Sequence, residues 1–395
     1  MRILVVTHNY PRFPGDPAGA YVARLAAAAA SDGATVQVLA PHAPGTAVDE
    51  MVGAVRTQRF RYGPTALERV GYRGDSPARA FRDPLTLAMA PLYLGRFRRS
   101  ARRAAARFAP TVVHAHWWFP AGWAVFALDI PYVVTSHGSD VRLLERGGWW
   151  LRAGRRVLRR AGAVTAVSRF LAQDLERQAG PLEHPVTVAS MPVDVELFAT
   201  GRLVPKSIPP RVLYAGNLVP AKGVDVLVRA HAVLRRRGTM CRLRILGEGA
   251  GRAALERLAA ELGTGNDVDW SPFVPQDRMP AEYGASTVTV LPSRGQAEGL
   301  GLTLVEALLA GSAVVATPAG GIPEVVQDGE TGLLARDGDP EDLADKIARL
   351  LDDPALRDRL IATGSARVRE TYSAAATARR FLALYDAIAA RQPAR

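Results

Sequence analysis

Two carboxylates, Glu298 and Glu306, stand eight positions apart around the turn Gly299-Leu300-Gly301, where an apolar run begins. The preceding stretch Ser286 to Leu291 reads as a strand that Pro292 stops, and from Leu302 the apolar positions 304, 308 and 309 have helical period. A glycine turn between a strand and a helix start suits a phosphate. Small residues let backbone N–H groups approach, and the positive end of the helix dipole favours the charge. Each carboxylate offers two acceptor oxygens to hydroxyl donors. The pattern therefore suits a ligand with hydroxyls at both ends and negative charge between them. Were all eight steps helical, the carboxylates would lie about 12 Å apart on different faces; a turn that folds back shortens the gap. Two solvated glutamates flanking a loop are the plain alternative, and either glutamate alone would more often be that.

Two neighbouring segments strengthen the first reading. Arg211 to Asp225 reads as strand, loop and helix start, with Lys222 beside Gly223, and Thr317 to Leu334 is again rich in glycine. Together the three segments resemble the nucleotide-sugar half of family 4 glycosyltransferases. The resemblance runs from residue 2 to about 375 and is densest over 211–334. It implies a GT-B fold: two doubly wound Rossmann-like α/β domains whose parallel sheets face a central cleft, with the last helix crossing back to the first domain. It also implies a retaining, metal-independent hexosyltransferase without a cofactor. Such an enzyme moves a sugar from a nucleotide-diphosphate sugar to a hydroxyl of a glycan, lipid-linked or small-molecule acceptor, in polysaccharide or glycolipid synthesis.

The resemblance assigns roles residue by residue. Lys222 and the amides at Gly301 and Leu302 would meet the diphosphate, Glu306 the ribose hydroxyls, and Glu298 the sugar hydroxyls. His137, in Thr135-Ser136-His137-Gly138-Ser139-Asp140, would lie near the donor sugar. The catalytic set is thus His137, Glu298 and Lys222, and donor contacts extend to Gly19, Gly216, Asn217, Glu248, Phe273, Val274, Arg294, Gly299 and Leu300. One departure stands out: the family commonly has arginine after Gly216, where this chain has Asn217, which supplies no charge. Arg294 is expected to make up the charge; otherwise Lys222 acts alone and the donor binds more weakly. A sugar-nucleotide epimerase or phosphorylase on the same fold, and a carbohydrate-binding protein without catalysis, are the competing classes. The joint presence of Glu298, Glu306, Lys222 and His137 weighs against the last.

Strand and helix patterns alternate in two blocks, and ligands of such open sheets bind beyond the carboxyl ends of the strands. Residues 1–192 are expected to form an acceptor-binding domain and 193–210, rich in proline, a linker. Residues 211–372 would bind the nucleotide sugar, and 373–395 form a helix returning to the first domain. In the first block the strands fall near 3–6, 35–39, 111–114, 132–135 and 163–167; in the second near 212–215, 243–246, 288–291 and 313–316.

Other motifs weigh less. His114 and His116 alternate on one strand and could join His137 in a three-histidine zinc site, but no acidic or cysteine partner stands at ligand spacing. Cleft lining for one histidine and packing for the other are the expected roles. Asp267-Val268-Asp269 and Asp337-Gly338-Asp339 match a metal-holding Asp-x-Asp pattern, yet the first lies in a strand and the second caps a helix. Gly247-Glu248-Gly249-Ala250-Gly251-Arg252 lacks the third glycine of a dinucleotide fingerprint.

With 395 residues, 48% hydrophobic and 22% charged, the chain is long enough for two full cores and too apolar for disorder. Its one cysteine, Cys241, lies in a strand pattern and reads as a structural thiol. The opening Met1 to Val6 reads as a strand and not a secretory leader. Ala109 to Leu128 is uncharged but broken by proline and glycine, so no membrane span is expected. The expected location is cytoplasmic, free or at the inner face of the membrane. The net charge of +12 concentrates in two places: 96–107, including Arg99 and Arg103, and the segment Trp149, Trp150, Arg152, Arg156. Basic helices bordered by aromatics suit an anionic bilayer and a lipid-linked acceptor; a solvated basic face is the equal alternative. No recognition module accompanies the charge, so nucleic acid is not expected.

Overall fold

The computed structural model describes residues 1–68, 70, 84–296 and 298–391. The chain divides into two compact units, Met1–Pro192 with Ala374–Arg395, and Val193–Ser373. Each is an α/β sheet with helices packed on it.

The first unit has the strands β1 (Arg2–Val6), β2 (Thr35–Pro41), β3 (Asp49–Val52), β4 (Val55–Phe60), β5 (Val112–His116), β6 (Tyr132–Ser136), β7 (Ala163–Ala166) and β8 (Thr187–Val188), ordered β3-β4-β2-β1-β5-β6-β7-β8. The central strands β1, β5 and β6 are buried on both faces, where parallel sheets covered by helices on both sides place their strands. Each fully buried Ile, Leu or Val there contributes about 1.5–3 kcal/mol. β3 runs antiparallel to β4, with Asp49 opposite Gln58, and forms an exposed edge where Asp49 and Glu50 precede exposed Met51 and Val52.

The second unit has β9 (Arg211–Ala215), β10 (Arg242–Leu246), β11 (Val268–Ser271), β12 (Val288–Leu291), β13 (Ala313–Ala316) and β14 (Leu333–Leu334), all parallel in the order β11-β10-β9-β12-β13-β14. The chain winds one way through β9, β10 and β11, then restarts at β12 and winds the other way. The order therefore reverses between β9 and β12, where open sheets leave a crevice beyond their strand ends. In the first unit the reversal falls between β1 and β5.

The segment 193–210 is no linker. Val193, Val195 and Phe198 are buried in the core of the second unit, and Phe198 packs 6.0 Å from Tyr283. Three apolar anchors outweigh the prolines. The helix Ala374–Ala389 belongs to the first unit: Thr377, Ala378, Phe381, Tyr385 and Ile388 recur at helical spacing on its buried face. Ile388 fits over Gly162, where a Cβ would lie 2.7 Å from its methyl group.

Candidate functional site

The loops leaving β9 and β12 touch. Gly223, at φ 62°, starts the helix Val224–Arg236, and a Cβ there would lie 2.0 Å from the Pro292 carbonyl oxygen. Arg294 N–H donates to the Ala221 carbonyl at 2.9 Å. This contact brings together Lys222 and Glu298, 76 residues apart: the ammonium donates to Glu298 Oε1. Ser293 Oγ donates to the same oxygen at 2.7 Å. Glu298 is buried, and the Lys222 ammonium and the Ser293 hydroxyl stand in for water at its Oε1. The glycines of the third segment hold it from beneath. Gly321 N–H donates to the Glu298 carbonyl at 3.1 Å, and a Cβ on Gly320 would meet that oxygen at 2.0 Å.

Gly301, at φ 86°, starts the helix Leu302–Leu309, whose residues Leu304, Val305, Ala307, Leu308 and Leu309 are buried. Glu306 lies on the other face. Gln276 Nε2 donates to its Oε1 at 3.1 Å and the Tyr283 hydroxyl to its Oε2 at 2.9 Å. Burial and the Glu306 charge push the Tyr283 hydroxyl well above its ordinary pKa, so it remains a donor. A carboxylate can accept several hydrogen bonds at once.

The other expected donor residues surround these two. Gly216 sits against Tyr214, whose hydroxyl donates to the Asn217 carbonyl at 2.9 Å, while the Asn217 side chain is exposed. Glu248 presents its carbonyl to Leu218 N–H at 2.8 Å and leaves its side chain exposed. Phe273 is 56% exposed and Val274 half-buried in the loop after β11. Arg294 is committed elsewhere: its guanidinium bonds Asp225 Oδ2 at 2.7 Å and the Pro220 carbonyl at 3.2 Å. Asp225 thus offsets the charge that Arg294 was expected to lend. Asp269 pairs with Arg242, Asp267 pairs with Arg235, and Asp339 caps the helix Pro340–Asp352. Among the described residues no group of three His, Cys, Asp or Glu is arranged to hold a metal ion.

The first unit gathers its own cluster at the carboxyl ends of β1, β5 and β6. Gly19, at φ 64°, lies against the loop after β1, where a Cβ would sit 2.1 Å from the Asn9 carbonyl oxygen. His137, in the loop after β6, packs 4.2 Å from the Trp117 ring and 5.2 Å from Tyr21. Its loop is fixed by buried Asp140, which accepts from the backbone N–H of His137 at 3.0 Å, Gly138 at 3.2 Å and Trp118 at 3.1 Å. Burial, reinforced by His114 and His8, holds the His137 pKa well below 6.5, so the ring is neutral. His8, Tyr21, Trp117, Ser293, Gln276 and Tyr283 were not singled out by the sequence. His8 lies two residues beyond β1 and Trp117 directly follows β5, and the strand-order reversal is the signal that finds them.

The two basic segments converge on one aromatic side chain. Arg98, from the helix Pro84–Phe108, lies 5.5 Å from the centre of the Phe126 ring, and Arg156, from the helix Gly148–Arg159, lies 5.9 Å from it. Trp149, 52% exposed, leads a cluster with Trp123 at 5.8 Å, Phe119 at 6.4 Å and Trp150 at 4.8 Å. Arg99, Arg103, Arg152 and Arg156 are exposed. No helix among the described residues is long and apolar enough to cross a membrane.

Comparison with known proteins gives this geometry its context. Residues 202–367 match the family of glycosyl transferases group 1, and residues 18–197 match Glycosyltransferase Family 4. A D-inositol 3-phosphate glycosyltransferase of Acidothermus cellulolyticus is 33% identical over 312 residues, 71% of this chain and 68% of that one. A GDP-mannose-dependent alpha-(1-6)-phosphatidylinositol monomannoside mannosyltransferase of Mycolicibacterium smegmatis is 34% identical over 239 residues, 56% of this chain and 61% of its own length. Among solved structures, sucrose-phosphate synthase from Thermosynechococcus elongatus superposes with a TM-score of 0.78 at 23% identity, covering 99% of this chain and 100% of that one. HepE from Anabaena, in complex with UDP-glucose, gives 0.68 at 20% identity, covering 98% and 100%. The fold is the GT-B fold, and with both halves matched and these relatives alongside, the chain belongs to the family 4 glycosyltransferases.

Proposed function

We propose that the second unit binds a nucleoside-diphosphate sugar between Glu298 and Glu306, and that the sugar passes with retention of configuration, without a metal, to a hydroxyl acceptor. The observation that carries this reading is the meeting of Lys222 and Glu298 at the strand-order reversal, one turn before the helix Leu302–Leu309. Departure of the diphosphate builds charge on its oxygens. Lys222 and the amides that open the helix are the groups suited to stabilise it. Glu306, oriented by Gln276 and Tyr283, accepts the ribose hydroxyls. Glu298, steadied by Ser293, accepts sugar hydroxyls and supports positive charge on the ring. A donor phosphate oxygen takes the acceptor proton, so neither glutamate becomes a nucleophile, unlike the paired carboxylates of a retaining glycosidase. For His137, in the first unit, the proposed role is that of a neutral ring that meets a sugar hydroxyl.

The full chain incubated with GDP-mannose or UDP-glucose should release nucleotide, slowly to water and faster with acceptor. Glu298→Gln and Lys222→Met should each lower kcat by about a hundredfold or more, in line with losing a group that stabilises the transition state. Release should survive EDTA, and the product's anomeric proton should show the donor's configuration by NMR. Full turnover in both variants would refute the assignment.

We further propose an anionic acceptor presented at a membrane surface. The support is exposed Trp149 with its aromatic neighbours, exposed Arg152 on the same helix, Arg156 over the Phe126 ring, and exposed Arg99 and Arg103 on the helix whose Arg98 reaches that same ring. Two relatives named for inositol phosphates or their lipids fit that chemistry. Sedimentation with vesicles should rise when anionic lipid is included and fall in Trp149→Ala; equal sedimentation with and without anionic lipid removes this part of the reading.

A further inference from the structure

A row of aromatic rings runs through the first unit from the helix Ala374–Ala389 to His137. The Tyr385 hydroxyl meets His114 Nδ1 at 2.6 Å, and His114 Nε2 meets Thr135 Oγ1 at 2.6 Å. His114 and His116, alternate residues of β5, share a face, with ring centres 4.1 Å apart. His116 pairs in register with Thr135, so the residue two beyond, His137, comes alongside it. His116 Nδ1 lies 3.1 Å from His137 Nε2, and the two rings stack at 29° with centres 5.3 Å apart.

Burial keeps both rings neutral, so this contact needs one N–H and one lone pair. His116 Nε2 is buried with no hydrogen-bond partner among the described residues. If His137 donated, the proton of His116 would sit on that nitrogen as a buried N–H without an acceptor, the rarer and more costly orphan. If His116 donates, the orphan is only a lone pair.

We infer that His116 is a positioning residue: its Nδ1–H donates to His137 Nε2 and so fixes the proton of His137 on Nδ1. The inference rests on the reading that His137 meets a sugar hydroxyl, and it deepens it. His137 then presents a hydrogen-bond donor to a sugar oxygen and is not a proton acceptor there. The residue responsible makes no contact with the sugar itself. Its hold on the proton is a second-layer effect of the kind that fixes histidine tautomers elsewhere.

The direct test is a two-bond proton–nitrogen NMR correlation on the 15N-labelled full chain, with His137 assigned by the peaks lost in His137→Gln. The Nδ1–H pattern is expected, and the Nε2–H pattern would overturn the inference without any variant at His116 having to fold. The functional test compares His116→Phe, which keeps the ring shape without a donor, with His116→Asn, whose amide nitrogen reaches the place of Nδ1. Nucleotide release from GDP-mannose and UDP-glucose should show kcat down about tenfold in the first, with donor KM within about twofold, and most of it regained in the second. Equal losses in the two variants would count against positioning and for packing alone. If the Nδ1–H pattern appears while His137→Gln keeps full turnover, the proton assignment stands and the sugar contact of His137 falls.

Discussion

Gly223→Ala separates the backbone contact that builds the donor site from the ordinary cost of a left-handed alanine. Gly223 has φ 62° and Gly238 has φ 82°, but a Cβ at Gly238 meets nothing within 4 Å while one at Gly223 lies 2.0 Å from the Pro292 oxygen. Alanine in this region costs about 1–2 kcal/mol, and the lower entropy of the unfolded chain returns about 0.4–1 kcal/mol. Gly238→Ala should therefore lose about 1 kcal/mol, a Tm drop of about 2–4 °C for a unit of this size. Gly223→Ala must in addition move the loops apart by about 1 Å to bring that contact to 3.0 Å. Those loops carry Lys222 and Ser293, both bonded to Glu298 Oε1. A misplacement of about 1 Å at a site of this kind can lower the rate by about a hundredfold. Thermal unfolding and nucleotide release, measured side by side, should show Gly238→Ala mildly destabilised at full activity. Gly223→Ala should be destabilised further and nearly inactive. Matching behaviour of the two variants in both assays would mean that the loop contact does not position the lysine, and the argument would fail.

Arg294→Ala should shift donor KM far less than Lys222→Ala, because Asp225 already offsets its charge; both partners are more than a third exposed, so the stability loss should stay under about 1 kcal/mol. Tyr283→Phe removes a donor on Glu306 and should weaken UDP or GDP binding in calorimetry by about fivefold, equivalent to about 1 kcal/mol; unchanged affinity would remove Glu306 from the ribose clamp. Burial lowers the pKa of His8 from 6.5 to about 4 and that of His114 to about 3. The unfolded chain then binds more protons below pH 6.5, so the stability these neutral rings confer is complete above pH 6.5 and drains away as pH falls toward about 4. A plot of Tm against pH over that window should be steeper for the wild type than for His114→Phe, and equal slopes would contradict the assignment.

β9, β10, β12 and β13 of the second unit were readable because a parallel sheet covered on both faces needs short, largely apolar runs, as in Val212 to Ala215 and Ala313 to Ala316. β3 and β4 were not. Asp49-Glu50-Met51-Val52 lies on an exposed edge, and Val55-Arg56-Thr57-Gln58-Arg59-Phe60 has apolar residues only at its two ends, with four polar ones between them. The segment 193–210 failed for the opposite reason, since its prolines masked Val195 and Phe198, which anchor it. In the site, a residue's presence was legible and its partner was not. Glu298 and Lys222 each announce a charge, but their bond spans 76 residues and exists only because the strand order reverses between β9 and β12. Arg294 shows the cost of missing such a pairing. As a lone basic residue in a loop it looked able to replace the charge absent at Asn217, yet the helix Val224–Arg236 brings Asp225 to 2.7 Å from it. A charge counts toward a ligand only after its neighbours have been counted. By that measure Lys222, whose partner Glu298 is also the proposed sugar clamp, is the cation of this site whose bond an arriving diphosphate would exchange to effect.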